Sequence, residues 1–475
     1  MSKVAFGATA LAAANMIRVL AQALVVPLLA RFVTPAEFGL VAVASPFLTL
    51  IMVFSEAGVG MSLLRSKSES EELWSTAFWF VLFLGLILSC LLVGVGSLAA
   101  WAFDEPILAS ILSTLAIIPL LQGLIAIPYM RIYRREQLTY LAVVEAISTL
   151  AGAAIAITMA VTGAGLWALV AQQLSYWLVK TIGIFIAADF VPKARFNRRL
   201  IQDHVKFGRN QVVFRLIDFF SKGTDPLIVG KFLGVEAAGY FALATQIVRL
   251  PRTLLMGPIN TSIYPRLIRA HEDLVELRNI FLALTRIIAA AIFSSMAFAA
   301  VESHTVFSIV LPDRWGPAAT LFSLLVPVNA LMAVISLNGT ILMAINRTDV
   351  QVLTSAEHAS LRFVFLCCTV WGGLEALALG LNAAFALYFC RFAKLFLPII
   401  DCSFSRFFGA LARPAALALL FAGLQGAITW WLDPKLEVRL FLGAVLLLAC
   451  WSVTFLVMRR TFLFDLAVLR RNFID

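Results

Sequence analysis

A chain of 475 residues that is 61% hydrophobic and only 13% charged, with a mean hydropathy of +0.95, carries more apolar sequence than a soluble core requires. Apolar stretches of roughly 20 residues recur along its length without period-two alternation, which excludes a membrane barrel and sets an all-α polytopic membrane protein. A net charge of +10 is a signature of nucleic-acid or anionic-lipid partners, but here the basic residues are spread through short loops and report topology; no nucleic-acid partner is expected.

In chain order, the first segment could be read as a signal peptide, because Ala12-Ala13-Ala14 resembles a cleavage site. Lys3 alone makes a thin basic region, however, and the apolar run continues past Arg18 to Leu29, so the segment is expected to stay as the first helix. About 14 spans are predicted in all. Those near 7–30, 38–64, 74–100, 107–130, 139–162 and 165–188 form an N-terminal six-helix lobe, residues 1–188. A cytoplasmic basic linker, 189–206, follows. Spans near 208–230, 237–264, 279–302, 318–345, 350–371 and 374–398 form a C-terminal six-helix lobe, 207–400. Residues 401–475 supply an extra pair near 407–431 and 437–458 and a basic tail. With the N-terminus inside, inner loops and tails hold about 21 of the 37 Lys and Arg and outer loops about 5, so both termini are placed in the cytoplasm.

The start of the chain is written twice. Phe6-Gly7 opens an apolar helix that leaves through Arg31-Phe32-Val33-Thr34-Pro35-Ala36-Glu37-Phe38-Gly39-Leu40. Phe207-Gly208 opens another that leaves through Lys231-Phe232-Leu233-Gly234-Val235-Glu236-Ala237-Ala238-Gly239-Tyr240. A membrane chain that repeats its first helix pair halfway along is built from two related lobes around a central cavity, and an even helix count per lobe makes the repeat parallel.

About 11 basic residues fall inside the predicted spans, where an ionised group costs at least ~2.5–3.5 kcal/mol and must face a wet cavity or a partner. Arg18, Arg215, Lys222, Arg249, Arg252 and Arg362 lie near mid-depth and are the candidate substrate-binding residues of a cationic cavity. Arg18, Arg249 and Arg252 have no carboxylate within one turn on their own helices, which suits an anionic ligand, above all a phosphate gripped by guanidinium. The alternative for any single one is a pair with Glu56 or Glu145 from another helix. Lys180, Arg391 and Lys394 sit near inner ends, where a long stem snorkels to the headgroups; Arg286 is intermediate. Arg215, Asp218, Lys222 and Asp225 fall at i, i+3, i+7 and i+10 and share one helical stripe, read either as cavity lining or as two structural pairs. Pro251, between Arg249 and Arg252, is a candidate hinge, with an ordinary tolerated membrane proline as the alternative. The six cysteines and four histidines form no ligand cluster, and there is no P-loop. No metal, cofactor or catalytic residue is expected, and the chain is read as a transporter and not an enzyme.

Three segments carry a family resemblance. Leu29–Ala42, with Arg31-Phe32-Val33-Thr34-Pro35-Ala36-Glu37-Phe38-Gly39, resembles the first-loop signature of Wzx-type bacterial polysaccharide exporters. So does Phe54-Ser55-Glu56-Ala57-Gly58-Val59-Gly60, followed by Ser75-Thr76-Ala77-Phe78-Trp79. In the second lobe, Asp225-Pro226-Leu227-Ile228-Val229-Gly230-Lys231-Phe232-Leu233-Gly234, Gly257-Pro258 and Tyr264-Pro265-Arg266-Leu267 look like their counterparts in the branch that includes colanic-acid-type exporters. The resemblance implies the multidrug/oligosaccharidyl-lipid/polysaccharide exporter superfamily. It further implies a flippase for undecaprenyl-pyrophosphate-linked oligosaccharide in the bacterial inner membrane, serving exopolysaccharide or O-antigen synthesis by alternating access. Partners implied are that lipid-linked oligosaccharide, membrane lipid, a coupling proton or sodium ion, and polymerase and chain-length or export proteins. Glu56, Asp218 and Asp225 are the candidates for ion coupling; Glu56 replaces the Asp of this branch, and Pro226 stands where a polar residue is commoner. Lipid II or multidrug export within the superfamily, and a membrane-embedded polysaccharide polymerase, remain as alternatives. Central arginines count against export of cationic drugs, and short outer loops against a polymerase.

Overall fold

The computed structural model describes residues 3–55, 58–65, 70–271, 273–432 and 434–470, and among these the chain is helical with no strand. Contacts divide it into two compact units, Met1–Ala242 and Leu243–Asp475. That division falls inside a helix, not in the 189–206 connector, so the lobe boundaries at 188 and 207 rest on the sequence repeat alone.

The first unit contains α1 (Lys3–Ala30), α2 (Pro35–Ser55), α3 (Val59–Arg65), α4 (Glu71–Phe103), α5 (Ile107–Leu115), α6 (Ile117–Arg134), α7 (Leu138–Val161), α8 (Leu166–Ala188), α9 (Arg198–Lys222), α10 (Asp225–Leu233) and the start of α11 (Val235–Arg269). Local chemistry sets the boundaries. Thr34-Pro35-Ala36-Glu37 is a capping box: the Glu37 carboxylate accepts from the Thr34 amide and hydroxyl, both at 2.8 Å, and Pro35 takes the first helical position, where no N–H is needed. The other Glu37 oxygen accepts from the Leu166 amide at 3.3 Å and so ties the start of α2 to the start of α8. The predicted 38–64 span is divided into α2 and α3, and Gly58, just before α3, adopts a φ of 62°.

The predicted helix 208–230 is corrected more sharply. It is two helices, α9 and α10, separated at Gly223-Thr224. Pro226, in the first turn of α10, has no N–H to continue an α-helical ladder from α9, so the backbone must restart there. One continuous helical register from Arg215 to Asp225, which the i, i+10 spacing assumed, is therefore broken before Asp225.

The two copies of the repeat meet each other. A Cβ on Gly39 would stand 1.7 Å from the Val235 carbonyl oxygen, and one on Gly239 would stand 1.9 Å from the Pro35 carbonyl oxygen. Gly39 and Gly239 are repeat equivalents, as are Pro35 and Val235, so α2 and α11 cross with each glycine set against the other helix's first turn. Only residues without a side chain allow this approach, as in close helix packing within membranes.

The connector is not a free linker. The Lys193 and Asn197 amides donate to the Ser75 and Thr76 hydroxyls at 3.1 and 3.2 Å, and the Trp79 indole donates to the Lys193 carbonyl at 2.9 Å. Asn197 then caps α9 through the Arg199 amide. Phe190 and Ile201 are buried with Trp74, Phe78, Ile132 and Leu141 in a core on the same side of the unit.

The second unit holds the rest of α11, then α12 (Leu274–Val301), α13 (Ser303–Val310), α14 (Gly316–Ile335), α15 (Asn338–Ala344), α16 (Thr348–Thr369), α17 (Gly373–Phe396), α18 (Phe404–Leu432) and α19 (Leu436–Arg470). Phe281, Phe389, Phe396 and Phe407 form its aromatic core, with Phe281 stacked on Phe407 at 5.7 Å. The extra C-terminal pair packs on α12. Outward faces are apolar throughout: Leu24, Trp101, Ile186, Leu419 and Trp430 are largely exposed, as lipid requires. Among the described residues, 11 stretches are long and apolar enough to cross a membrane, and one of them, Thr348–Ile400, holds both α16 and α17. The predicted spans near 208–230 and 237–264 are not among the 11.

Candidate functional site

Charged residues inside the apolar helices sort into two kinds. The first is structural. Arg286 on α12 grips Asp465 on α19 with two hydrogen bonds, one of them 2.8 Å from Nε, and Asp465 is fully buried. Glu302, at the end of α12 and equally buried, accepts from Arg439 Nε at 2.7 Å and Gln425 Nε2 at 2.9 Å. These contacts bind α18 and α19 to α12. Arg391 on α17 lies 3.4 Å from Glu357 on α16.

The second kind is a group of cations on α11 and α16. In the second unit, Arg252 on α11 has Arg362 on α16 near enough to act on it electrostatically, and both are half-buried. Among the described residues no carboxylate pairs with Arg252. Two guanidinium groups from different helices thus act on each other's charge, an arrangement that a bound anion would stabilise. Arg249, one turn earlier on α11, is also half-buried. The helix runs through Pro251 without interruption.

In the first unit, Arg18 on α1 reaches Glu145 on α7, with Nη1 at 3.8 Å from Oε1. This is the pairing that stood as the alternative for Arg18, but it is loose. Arg18 is 46% exposed and makes no hydrogen bond among the described residues. Glu145 spends its hydrogen bonds elsewhere, accepting from Lys180 Nζ at 2.9 Å and from the Tyr176 hydroxyl at 2.8 Å, both on α8. Lys180 is not snorkelling, as its place in the sequence suggested. Its ammonium also donates to the Tyr176 oxygen at 3.0 Å and lies 5.2 to 6.0 Å from the rings of Tyr176, Trp177 and Tyr129. One carboxylate therefore serves two cations. Lys180 and Tyr176 were missed because the carboxylate they share, Glu145, lies on another helix, although their own i, i+4 spacing was a readable signal.

The remaining predicted residues are placed as follows. Arg215 is half-buried on α9. Asp225 is buried at the first position of α10. Glu56 lies outside the described residues, as do the side chains of Asp218 and Lys222. Among the described residues no group of His, Cys, Asp or Glu could hold a metal ion.

The all-helical membrane fold, with cations set inside it, has a close likeness among solved structures. The structure superposes on the lipid II flippase MurJ in its inward closed conformation with a TM-score of 0.72, over 96% of this chain and 99% of that one, at 13% identity. The chain belongs to the family described as polysaccharide biosynthesis protein, whose model matches residues 28–320. Among curated relatives, it is 23% identical to the lipopolysaccharide biosynthesis protein WzxC of Escherichia coli (strain K12), over 82% of this chain and 80% of that one. It is 25% identical to the succinoglycan biosynthesis transport protein ExoT of Rhizobium meliloti (strain 1021), over 58% of this chain and 55% of the relative.

Proposed function

We propose that this protein flips undecaprenyl-pyrophosphate-linked oligosaccharide repeat units across the bacterial inner membrane by alternating access between two six-helix lobes, with both termini in the cytoplasm. The observation that carries this reading is Arg252 beside Arg362 without a carboxylate of its own among the described residues. A doubly charged phosphate group supplies the missing counter-charge, and guanidinium groups bind it with geometry that ammonium cannot match. The family, and relatives named for lipopolysaccharide biosynthesis and succinoglycan transport, support an oligosaccharide as the cargo. The polyprenyl tail stays in lipid while the head group crosses between the lobes; the chain moves its substrate and does not alter it.

The test is complementation in a strain that lacks the protein. That strain accumulates lipid-linked repeat units on the inner leaflet, and the wild-type chain restores export. Arg252→Gln and Arg362→Gln reach the membrane at normal levels but restore little polymer. Full export by both variants removes the cationic-site argument. Accumulation of single repeat units on the outer leaflet would instead identify a polymerase.

A further inference from the structure

We propose that Glu145 is an internal counter-ion that the substrate's phosphate displaces, and that it takes up one proton as it does so. The inference rests on the function proposed above and locates a second anion site, in the first unit, that includes Tyr176 and Lys180.

The geometry sets the exchange. Glu145 is 15% exposed and its carboxylate is held by Lys180 and Tyr176, while Arg18 stands beside it, half-exposed and without a hydrogen bond. The groups that face Glu145 come from the three helices most closely packed on α7. From α1 comes Arg18, and from α8 Tyr176 and Lys180. From α6 comes Tyr129, 6.0 Å from the Lys180 ammonium at its ring centroid. The α6 arginines point elsewhere, Arg131 over Phe190 and Arg134 over Trp74. On α7 itself, Tyr140 donates to the Gly183 carbonyl.

Charge then decides the proton count. Two cations and one carboxylate leave the empty cluster at plus one. A dianionic phosphate bound to Arg18 and Lys180 beside an ionised Glu145 would bring it to minus one, with two anionic groups competing for the same donors. Adding one proton from the aqueous phase to the Glu145 carboxylate brings the cluster to zero. The resulting acid O–H can donate to the phosphate or to the Tyr176 oxygen, so no polar atom is stranded. When the phosphate leaves, the proton leaves with it and Glu145 returns to Lys180. Anion binding and proton uptake are thereby linked, with one proton per anion and about a tenfold tightening per pH unit lowered.

The experiment uses the full chain in lipid nanodiscs with inorganic sulfate as the probe, since sulfate stays doubly charged across neutral and mildly acidic pH and the slope belongs to the protein. Calorimetry in buffers of different ionisation enthalpy counts protons per sulfate. The wild-type chain takes up about one, and Glu145→Gln takes up none and binds sulfate about tenfold tighter at mildly alkaline pH. Glutamine keeps an acceptor for Lys180 and Tyr176, so the cluster stays folded; the wild-type proton count is in any case a test by itself. Zero uptake by the wild type, equal uptake by Glu145→Gln, or no saturable binding in either overturns the proposal. Export by the wild type in cells tests the flippase reading separately, so the two can fail independently.

Discussion

The crossing of α2 and α11 can be tested by adding a single methyl group. In Gly39→Ala the new Cβ would lie 1.7 Å from the Val235 carbonyl oxygen and 2.9 Å from the Gly239 amide nitrogen. An ordinary contact begins near 3.4 Å, so the two backbones must part by about 1.7 Å. The obstructing atoms are backbone, which no rotamer can move aside. The cost is therefore set at the upper end of overpacking, about 3 kcal/mol, or roughly a hundredfold in the folded-to-unfolded ratio. Gly409→Ala on α18 is the control, because nothing lies within 4 Å of its added Cβ. There the better helix propensity of alanine stabilises by up to ~1 kcal/mol. Thermal unfolding of the purified protein, followed by tryptophan fluorescence, separates the two by sign. The double variant Gly39→Ala/Gly239→Ala adds a second signature: once the first methyl has parted the helices, the second meets less resistance, so the double costs less than the sum. A Gly39→Ala protein as stable as Gly409→Ala, or strictly additive costs, would refute the close crossing.

Two further outcomes follow from the ion pairs and the connector. Asp465→Ala strands the largely buried Arg286 and should cost about 3–5 kcal/mol in the same assay, whereas Arg286→Met/Asp465→Leu recovers most of that loss; a near-neutral Asp465→Ala would show that the pair is not what holds α19. Burial holds the His204 imidazole below its usual value of 6.5, with Asp203 opposing, while Nδ1 lies 2.7 Å from the Ser62 hydroxyl. A base whose folded value is depressed leaves the unfolded chain holding the extra proton, so this contribution is full above about pH 6.5 and is lost as the pH falls from there through the lower folded value. His204→Gln should flatten the acid limb of the stability profile, and an unchanged limb would assign it to other groups.

How much of this was legible depends on the range of the interaction. Run length and hydropathy gave the all-helical class, because each span must satisfy its own backbone and its own lipid-facing surface. The break before Asp225 was also local, signalled by Gly223-Thr224-Asp225-Pro226, but the charge stripe was followed in preference to the proline. Neighbour relations between helices were less accessible. Helical periodicity tells which residues share a face of one helix, not which helix that face will meet. Glu145 was therefore open as one of two partners for Arg18, and Lys180 was assigned to the headgroups because its distance from the inner end was visible and its contact with α7 was not. The repeat was plain as a repetition, yet nothing in two similar strings of residues said that they would touch.

That contact bears on how such a chain could arise. Two equivalent glycines, each seated on the other copy's first turn, form a self-complementary patch of the kind that joins identical subunits about a two-fold axis. A half-length protein carrying a single copy would have possessed both sides of this joint and could have paired with itself. Fusing two such genes would then have preserved an existing dimer interface within one polypeptide. After such a fusion the two sequences could diverge almost everywhere, while each glycine would stay tied to the backbone of its former twin.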